Sequence, residues 1–211
     1  IYTPEGLHYV DCHGPITGEI VVGGDLHYLR ARQNVETEVT VTGDVGTFYA
    51  YGNWGGSLIA NTIRYARTRG QLAAHVTASG ADARNVSIST LQAGRVDSAE
   101  ISANRGIRSV RVTDWTSGSI SAGWLGSLRT TGNRRENIPG DFSAALTLDG
   151  QGAPTRTLSL ASIAGELSGA TWDIIGDVGS IRSSAADGWT LAVHSQLHIL
   201  NIGEADNVVV N

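Results

Sequence analysis

The segment Thr42-Gly43-Asp44-Val45-Gly46-Thr47-Phe48-Tyr49 returns late in the chain as Ile175-Gly176-Asp177-Val178-Gly179-Ser180-Ile181-Arg182. The copies lie 133 residues apart, which is seven times 19. With a period this short, each unit is too small to bury its own apolar side, so stability must come from stacking one unit on the next. An inward aliphatic residue followed by a second apolar residue recurs at Leu26, Val45, Ile107, Leu125, Val178 and Leu197. The 171 residues from first to last are nine times 19, so about ten units fit. A weaker unit runs through Ile59 to Ile63-Arg64, and two more centre on Leu146-Thr147-Leu148 and Leu160-Ala161-Ser162-Ile163.

Few architectures accept this period. Leucine-rich repeats need an L-x-x-L-x-L signature, which is missing, and helical arrays need about 33–45 residues per unit. What remains is an all-β fold, a single-stranded right-handed parallel β-helix (solenoid) of about ten coils of roughly 19 residues, the hand following from the general preference of parallel crossovers. Coils stacked at about 4.8 Å make a rod on the order of 50 Å long. The 27 glycines and only four prolines agree with this, as do the evenly spread Val, Ile, Leu and Thr. That balance favours short strands separated by Gly-, Asn- and Asp-containing turns.

Residues 1–15 break the pattern and read as an N-terminal cap or truncated coil, leaving 16–211 as the solenoid. Residues 131–141, with a Pro139-Gly140 turn, read as a loop pushed out of one coil over a lateral groove, and residues 66–72 as a shorter polar loop. The terminal Val208-Val209-Val210 reads as an unpaired strand edge, a hazard that solenoids cap. It is expected to pair with another copy, end to end or laterally, or to continue in a longer parent protein. The absence of Met likewise fits a processed product or a piece of something longer.

A net charge of −5, with no Lys, argues against a nucleic-acid partner, because phosphate neutralisation demands a basic face. The lone Cys12 has no internal disulfide partner. No apolar run approaches the roughly 18 residues needed to span a bilayer, so no membrane contact is expected.

The phrases Leu125-Gly126-Ser127-Leu128, Gly140-Asp141-Phe142-Ser143-Ala144-Ala145-Leu146-Thr147-Leu148 and Gly176-Asp177-Val178-Gly179-Ser180-Ile181 resemble, in repeat style, the right-handed β-helical regions of large secreted bacterial surface proteins of the adhesin type. The resemblance implies an extracellular or cell-surface location and an adhesive or scaffold role. It carries no catalytic residues over.

Two columns of side chains suggest chemistry. Glu19, Asp25, Asp44, Asp141, Glu166 and Asp177 each follow a glycine. On successive coils, Asp25 and Asp44 would place their carboxylates roughly 5 Å apart. Such a pair suits Ca²⁺, the one cofactor this pattern admits, or an acid/nucleophile couple for glycoside cleavage. The alternative is turn chemistry, with Gly supplying positive φ and Asp bonding nearby backbone N–H groups. Arg30, Arg64, Arg111, Arg129 and Arg182 each follow an inward apolar residue, so pleat alternation sends them outward, with Tyr49 and Asn201 in the same slot. A strip of guanidinium and aromatic groups suits carboxylated or sulfated sugars, with a solvated, acid-paired face as the alternative.

Other features are weaker. Five tryptophans suit the interior or the coil corners of a β-helix, where aromatics stack, or else outer sugar-stacking platforms, for which Trp54, within Tyr51-Gly52-Asn53-Trp54-Gly55-Gly56, is the best exposed candidate. His8, Asp11, Cys12 and His13 offer zinc-ligand types at no standard spacing. His194 and His198 would share a face in a straight strand. No P-loop, Rossmann fingerprint or nucleophile elbow is present.

Regular repetition accounts for nearly every residue singled out, so the expectation is a non-catalytic structural or adhesive repeat domain. Two alternatives stand beside it. A polysaccharide lyase or glycoside hydrolase would bring Asp25, Asp44 and Arg30 or Arg64 into a groove with Tyr49. An acidic-sugar-binding module would use the Arg/Tyr column without chemistry.

Overall fold

Alternation of aliphatic or β-branched residues with polar ones sets strands such as Val35–Val41, in which Val35, Thr37, Val39 and Val41 are buried while Glu36 and Glu38 are exposed. The computed structural model describes residues 1–211, and in it such segments make nineteen strands and no helix, wound as a parallel β-solenoid of about eleven turns. Two strand ladders run along the rod. One begins with Leu7–Cys12, Leu26–Ala31, Val45–Ala50 and Ile63–Thr68, the other with Ile16–Val22, Val35–Val41, Trp54–Ala60 and Gln71–Ala78. Each strand pairs in parallel with its counterpart one coil on. Residues 1–15 join this scheme, since Leu7 pairs with Leu26 and Val10 with Leu29.

The coils are not equally long. Leu26, Val45, Ile63, Ile88, Ile107, Leu125, Leu158, Val178 and Leu197 form one continuous stack. Ile63 to Ile88 takes 25 residues and Leu125 to Leu158 takes 33, because loops are extruded there. The two Gly-Asp-Val-Gly copies are therefore six coils apart rather than seven. Leu146 and Leu148 belong to the second ladder, and Leu160 faces outward beside the buried Leu158 and Ala161.

Inside the rod, Leu29, Phe48, Ala66, Leu91, Val110, Leu128, Ala161 and Ile181 form a second buried stack. An aromatic column, Trp115, Phe142, Trp172 and Trp189, runs through the later coils with successive ring centroids 5.3, 5.6 and 5.3 Å apart. At the far end Leu200 and Val210 take interior positions by register, yet they are 38% and 47% exposed.

The Gly-Asp turns have a simple construction. Asp25 Oδ1 accepts the Asp44 N–H of the next coil at 2.8 Å, and Asp141 Oδ1 accepts the Glu166 N–H at 2.8 Å. Gly18, Gly140 and Gly176 take a positive φ, as turn chemistry predicts, whereas Gly24 and Gly43 do not, so left-handed backbone is not the reason for glycine at those two. A Cβ on Gly43 would instead collide with Asp25 Oδ1. Glycine is required for close approach of the preceding carboxylate. Gly43→Ala is accordingly expected to destabilise the fold by roughly 1–3 kcal/mol, the usual cost of overpacking. Gly55→Ala, whose added Cβ meets nothing within 4 Å, is the control for chemical denaturation. Equal midpoints for the two variants would refute this account of the turn.

Candidate functional site

Pleat alternation along Leu26–Ala31 turns Arg30 outward between the buried Leu29 and Ala31. Strand pairing carries the Arg30 position into one ladder: Asp11, Arg30, Tyr49, Arg67, Gln92, Arg111, Arg129, Ser162, Arg182 and Asn201. Beside it runs a second outward ladder that begins Tyr9, Tyr28, Thr47, Tyr65, Thr90. Rungs about 4.8 Å apart make the two ladders tile one lateral face.

The structure thus places Arg30, Tyr49, Arg111, Arg129, Arg182 and Asn201 in a single column, as the sequence suggests. Arg64 is not in it. Ile63 is the first apolar residue of its unit, not the second, and the second place belongs to Ala66, which is too small to stand out as core. Arg67 therefore takes the ladder position. Arg64 lies in a separate depression with Asp25, His27, Asp44, Asp82, Arg84 and Arg108. Asp25, Asp44 and Arg64 thus share one depression, as the enzyme alternative expects, but Tyr49 and Arg30 do not line it.

Trp54 also departs from expectation. It is fully buried, paired between Val35 and Leu72, with its ring 4.4 Å from Phe48. An inward pleat position makes it core rather than a sugar platform. Residues 66–72 are likewise less of a loop than their polarity suggests, since Ala66 and Thr68 finish the Ile63–Thr68 strand with their side chains buried.

Acids and arginines are segregated by task. Several aspartates serve turns. Asp44 Oδ1 accepts from Asn61 Nδ2 and Thr62 Oγ1, both at 2.8 Å. The Val86 N–H, chiefly, holds Asp82 below the usual carboxylate range, and the Ser195 hydroxyl does the same for Asp177. Among the guanidinium groups, Arg30 and Arg32 pair with Asp11, Arg95 lies 4.0 Å from Asp114, and Arg105 donates to Gln151. The other arginine side chains have no acceptor within the chain, and Arg67, Arg69, Arg111, Arg129 and Arg182 of this face are among them, with Asp11 the one carboxylate on their ladder. The lateral face is therefore positive although the whole chain is negative.

Aromatic rings brace part of this row. The Tyr49 and Tyr51 rings lie 4.5 Å apart. Arg67 Cζ stands 5.5 Å from the Tyr49 ring centre, and Arg69 Cζ stands 4.6 Å from that of Tyr51. Cation–π stacking of this kind orients a guanidinium group while leaving its in-plane N–H donors free.

Arg30 differs from its ladder neighbours because its donors are used. Its hydrogen bonds, with help from Arg32, hold the Asp11 carboxyl down at about 2. A carboxylate depressed on folding contributes stability above its ordinary value of 3.8, and that contribution fades as pH falls toward about 2. Corrected hydrogen exchange in Leu7–Cys12 is expected to accelerate across that window, and Arg30→Gln to abolish the change. An Asp11 titration midpoint near 3.8 would show that no such pair forms in solution.

The remaining sequence candidates stay apart. His8 packs edge-on against His27 at 4.9 Å, and Cys12 Sγ lies 3.9 Å from the Pro15 carbonyl oxygen. His194 Nε2 contacts Asp173 Oδ1 at 2.8 Å, and the Ser195-Gln196 turn separates it from His198 on the next strand. No group of three or more His, Cys, Asp or Glu side chains gathers as a metal site, at Asp25 and Asp44 or elsewhere.

No protein-family profile, curated protein or solved structure matches the chain. Function must be argued from the chemistry of the lateral face. Sequence reasoning missed Arg67, Arg69 and Tyr51 there. A repeat template that admits alanine as an interior residue would have found Arg67, and the corner slot two residues on holds Arg32, Tyr51 and Arg69 on successive coils.

Proposed function

We propose that this chain is a non-catalytic structural and adhesive β-solenoid domain of a secreted or cell-surface bacterial protein, with a lateral Arg/Tyr face that binds acidic polysaccharide. The observation that carries the proposal is the row of partnerless guanidinium groups at Arg67, Arg111, Arg129 and Arg182 on one ladder. Guanidinium groups engage carboxylate and sulfate oxygens bidentately. Repeated at multiples of about 4.8 Å along a rigid rod, they suit a polymer with regularly spaced charges, because several weak contacts then act together. Tyr28, Tyr49 and Tyr65 set aromatic surface beside them. The acids a glycosidase would use are engaged elsewhere, since Asp25 and Asp44 hold the donors of neighbouring turns.

A panel of acidic and neutral polysaccharides, assayed for binding and for turnover, tests this. Binding is expected for acidic polymers only, weakening as salt shortens the Debye length, with no turnover. Turnover that is lost in Asp44→Asn would overturn the non-catalytic assignment, and equal binding of neutral polymers would overturn the role of the arginines.

A further inference from the structure

One place on the lateral face is built unlike the rest. Gly94 occupies the coil corner between Arg69 and Thr113, one rung from each. A Cβ on Gly94 would collide with the Arg69 carbonyl oxygen. Gly94 helps line a depression of about 360 Å³, at the small end of ligand-pocket sizes of roughly 300–1,000 Å³. Its polar lining consists of Arg67, Arg69, Arg111, Gln92 and the threonines around them, with no carboxylate.

Donors reach this space from different directions. Arg67 and Arg111 stand one rung to either side of Gln92, about 9.6 Å apart along the rod at two coil spacings. Arg69 approaches from the corner, seated on the Tyr51 ring. The Tyr65 hydroxyl donates to Gln92 Oε1 at 3.2 Å, which leaves Gln92 Nε2 as a further free donor. Thr113 adds a hydroxyl from the coil beyond, while the Thr131 hydroxyl, which also lines the space, donates to the Val112 carbonyl at 3.4 Å. A carboxylate presents two oxygens in one plane and satisfies one guanidinium fork. A tetrahedral ester presents three terminal oxygens in three directions, which is the arrangement that three separated guanidinium groups can meet at once.

We infer that this depression binds the tetrahedral oxyanion of a sulfate or phosphate monoester carried by an acidic polysaccharide. The inference rests on the reading of this face as a polysaccharide contact and names the substituent it selects. Stacking of Arg67 and Arg69 on tyrosine reduces the ordering that binding must impose. Arg129 and Arg182 lie outside the depression and supply only the general attraction of the ladder.

The test is calorimetric titration of the full chain with inorganic sulfate, phosphate and acetate, and then with sulfated, phosphomonoester-bearing and carboxylate-only polysaccharides. Arg69→Gln and Arg111→Gln are each expected to weaken sulfate and ester-polymer binding roughly tenfold, the loss of one charge-assisted contact. Arg182→Gln should leave inorganic sulfate binding unchanged. Preference between the sulfated and phosphorylated polymers identifies the natural source, and either preference over the carboxylate polymer supports the site. Equal binding of ester and carboxylate polymers, with Arg69→Gln and Arg182→Gln equally harmful, overturns the site while sparing the polysaccharide face. Binding of inorganic sulfate through Arg69 without binding of any polymer supports the site and defeats the polysaccharide reading. All three substitutions replace side chains that make no hydrogen bonds within the fold, Arg69 giving up only its tyrosine stacking, and unchanged thermal melting confirms that each variant is intact.

Discussion

Replacing Arg111 and Arg129 together with alanine is expected to weaken binding of acidic polysaccharide on the order of 10- to 100-fold while leaving the melting temperature in place. The two residues are paired on adjacent rungs, both are exposed, and neither donates to another residue of the chain. Removing them breaks no internal bond, and surface changes of that kind stay within about 0.5 kcal/mol of stability. The cost falls on the complex. A charge-assisted hydrogen bond is worth about 1.5–3 kcal/mol, and solvent exposure brings each contact here nearer to 1 kcal/mol. Two such contacts give about 2 kcal/mol, or roughly 30-fold. Lysine at both positions should recover part of the loss, because the charge returns without the planar fork. Arg30→Ala provides the contrast. Its donors already serve Asp11, so it should loosen the first coils and spare the ligand. Unchanged binding in the Arg111→Ala, Arg129→Ala pair, measured at low and moderate salt, would remove the arginine ladder from the function.

The architecture was legible because interior positions such as Leu26, Val45, Val178 and Leu197 carry large aliphatic residues at nearly regular spacing. Register was less legible, for a physical reason. Periodicity reports size and polarity, whereas register depends on which strand edges pair. A small residue is as good inside as a large one when the rung beside it is bulky, as with Ala66 next to Phe48. That substitution of small for large hid Arg67 and promoted Arg64. Extruded loops of unequal length also happened to preserve a multiple of 19, so the coil count between the two best copies came out one too high. Trp54 stands out as the exposed candidate because Gly55 and Gly56 look like loop residues. Gly56 in fact lies against the backbone of the preceding coil, where an added Cβ would collide with the Thr37 carbonyl oxygen. The outward ladder could be anticipated from pleat alternation alone. The depression at Gly94 could not, since Arg67, Gly94 and Arg111 come from three coils whose alignment only strand pairing reveals.

Phe142→Ala is expected to destabilise the rod by about 3–5 kcal/mol, the cost of deleting a buried aromatic ring and leaving its cavity. Phe142 is fully buried and lies between Trp115 and Trp172, with ring centroids 5.3 and 5.6 Å away. Edge-to-face and tilted contacts of this kind add about 0.5–1.5 kcal/mol each beyond area burial. Its place in the chain sharpens the effect. The residue follows the 131–141 segment, and single parallel bridges to Trp115 on one side and Leu167 on the other are all that pair it with neighbouring coils. In a solenoid each coil is stabilised by its nearest neighbours, so a weakened interface uncouples what lies on either side of it. The wild-type chain should therefore unfold in one denaturant transition, and Phe142→Ala in two, with tryptophan fluorescence and far-ultraviolet circular dichroism no longer coinciding. Trp172 and Trp189 report on the later coils, and Trp54 on the earlier ones. Ile163→Ala, a buried site on the continuous strand Leu158–Ser168, should lower stability by about 2–5 kcal/mol while keeping a single transition. If Phe142→Ala shifts one cooperative transition by less than about 1 kcal/mol, the aromatic column does not couple the two halves, and cohesion there must come from the backbone ladders alone.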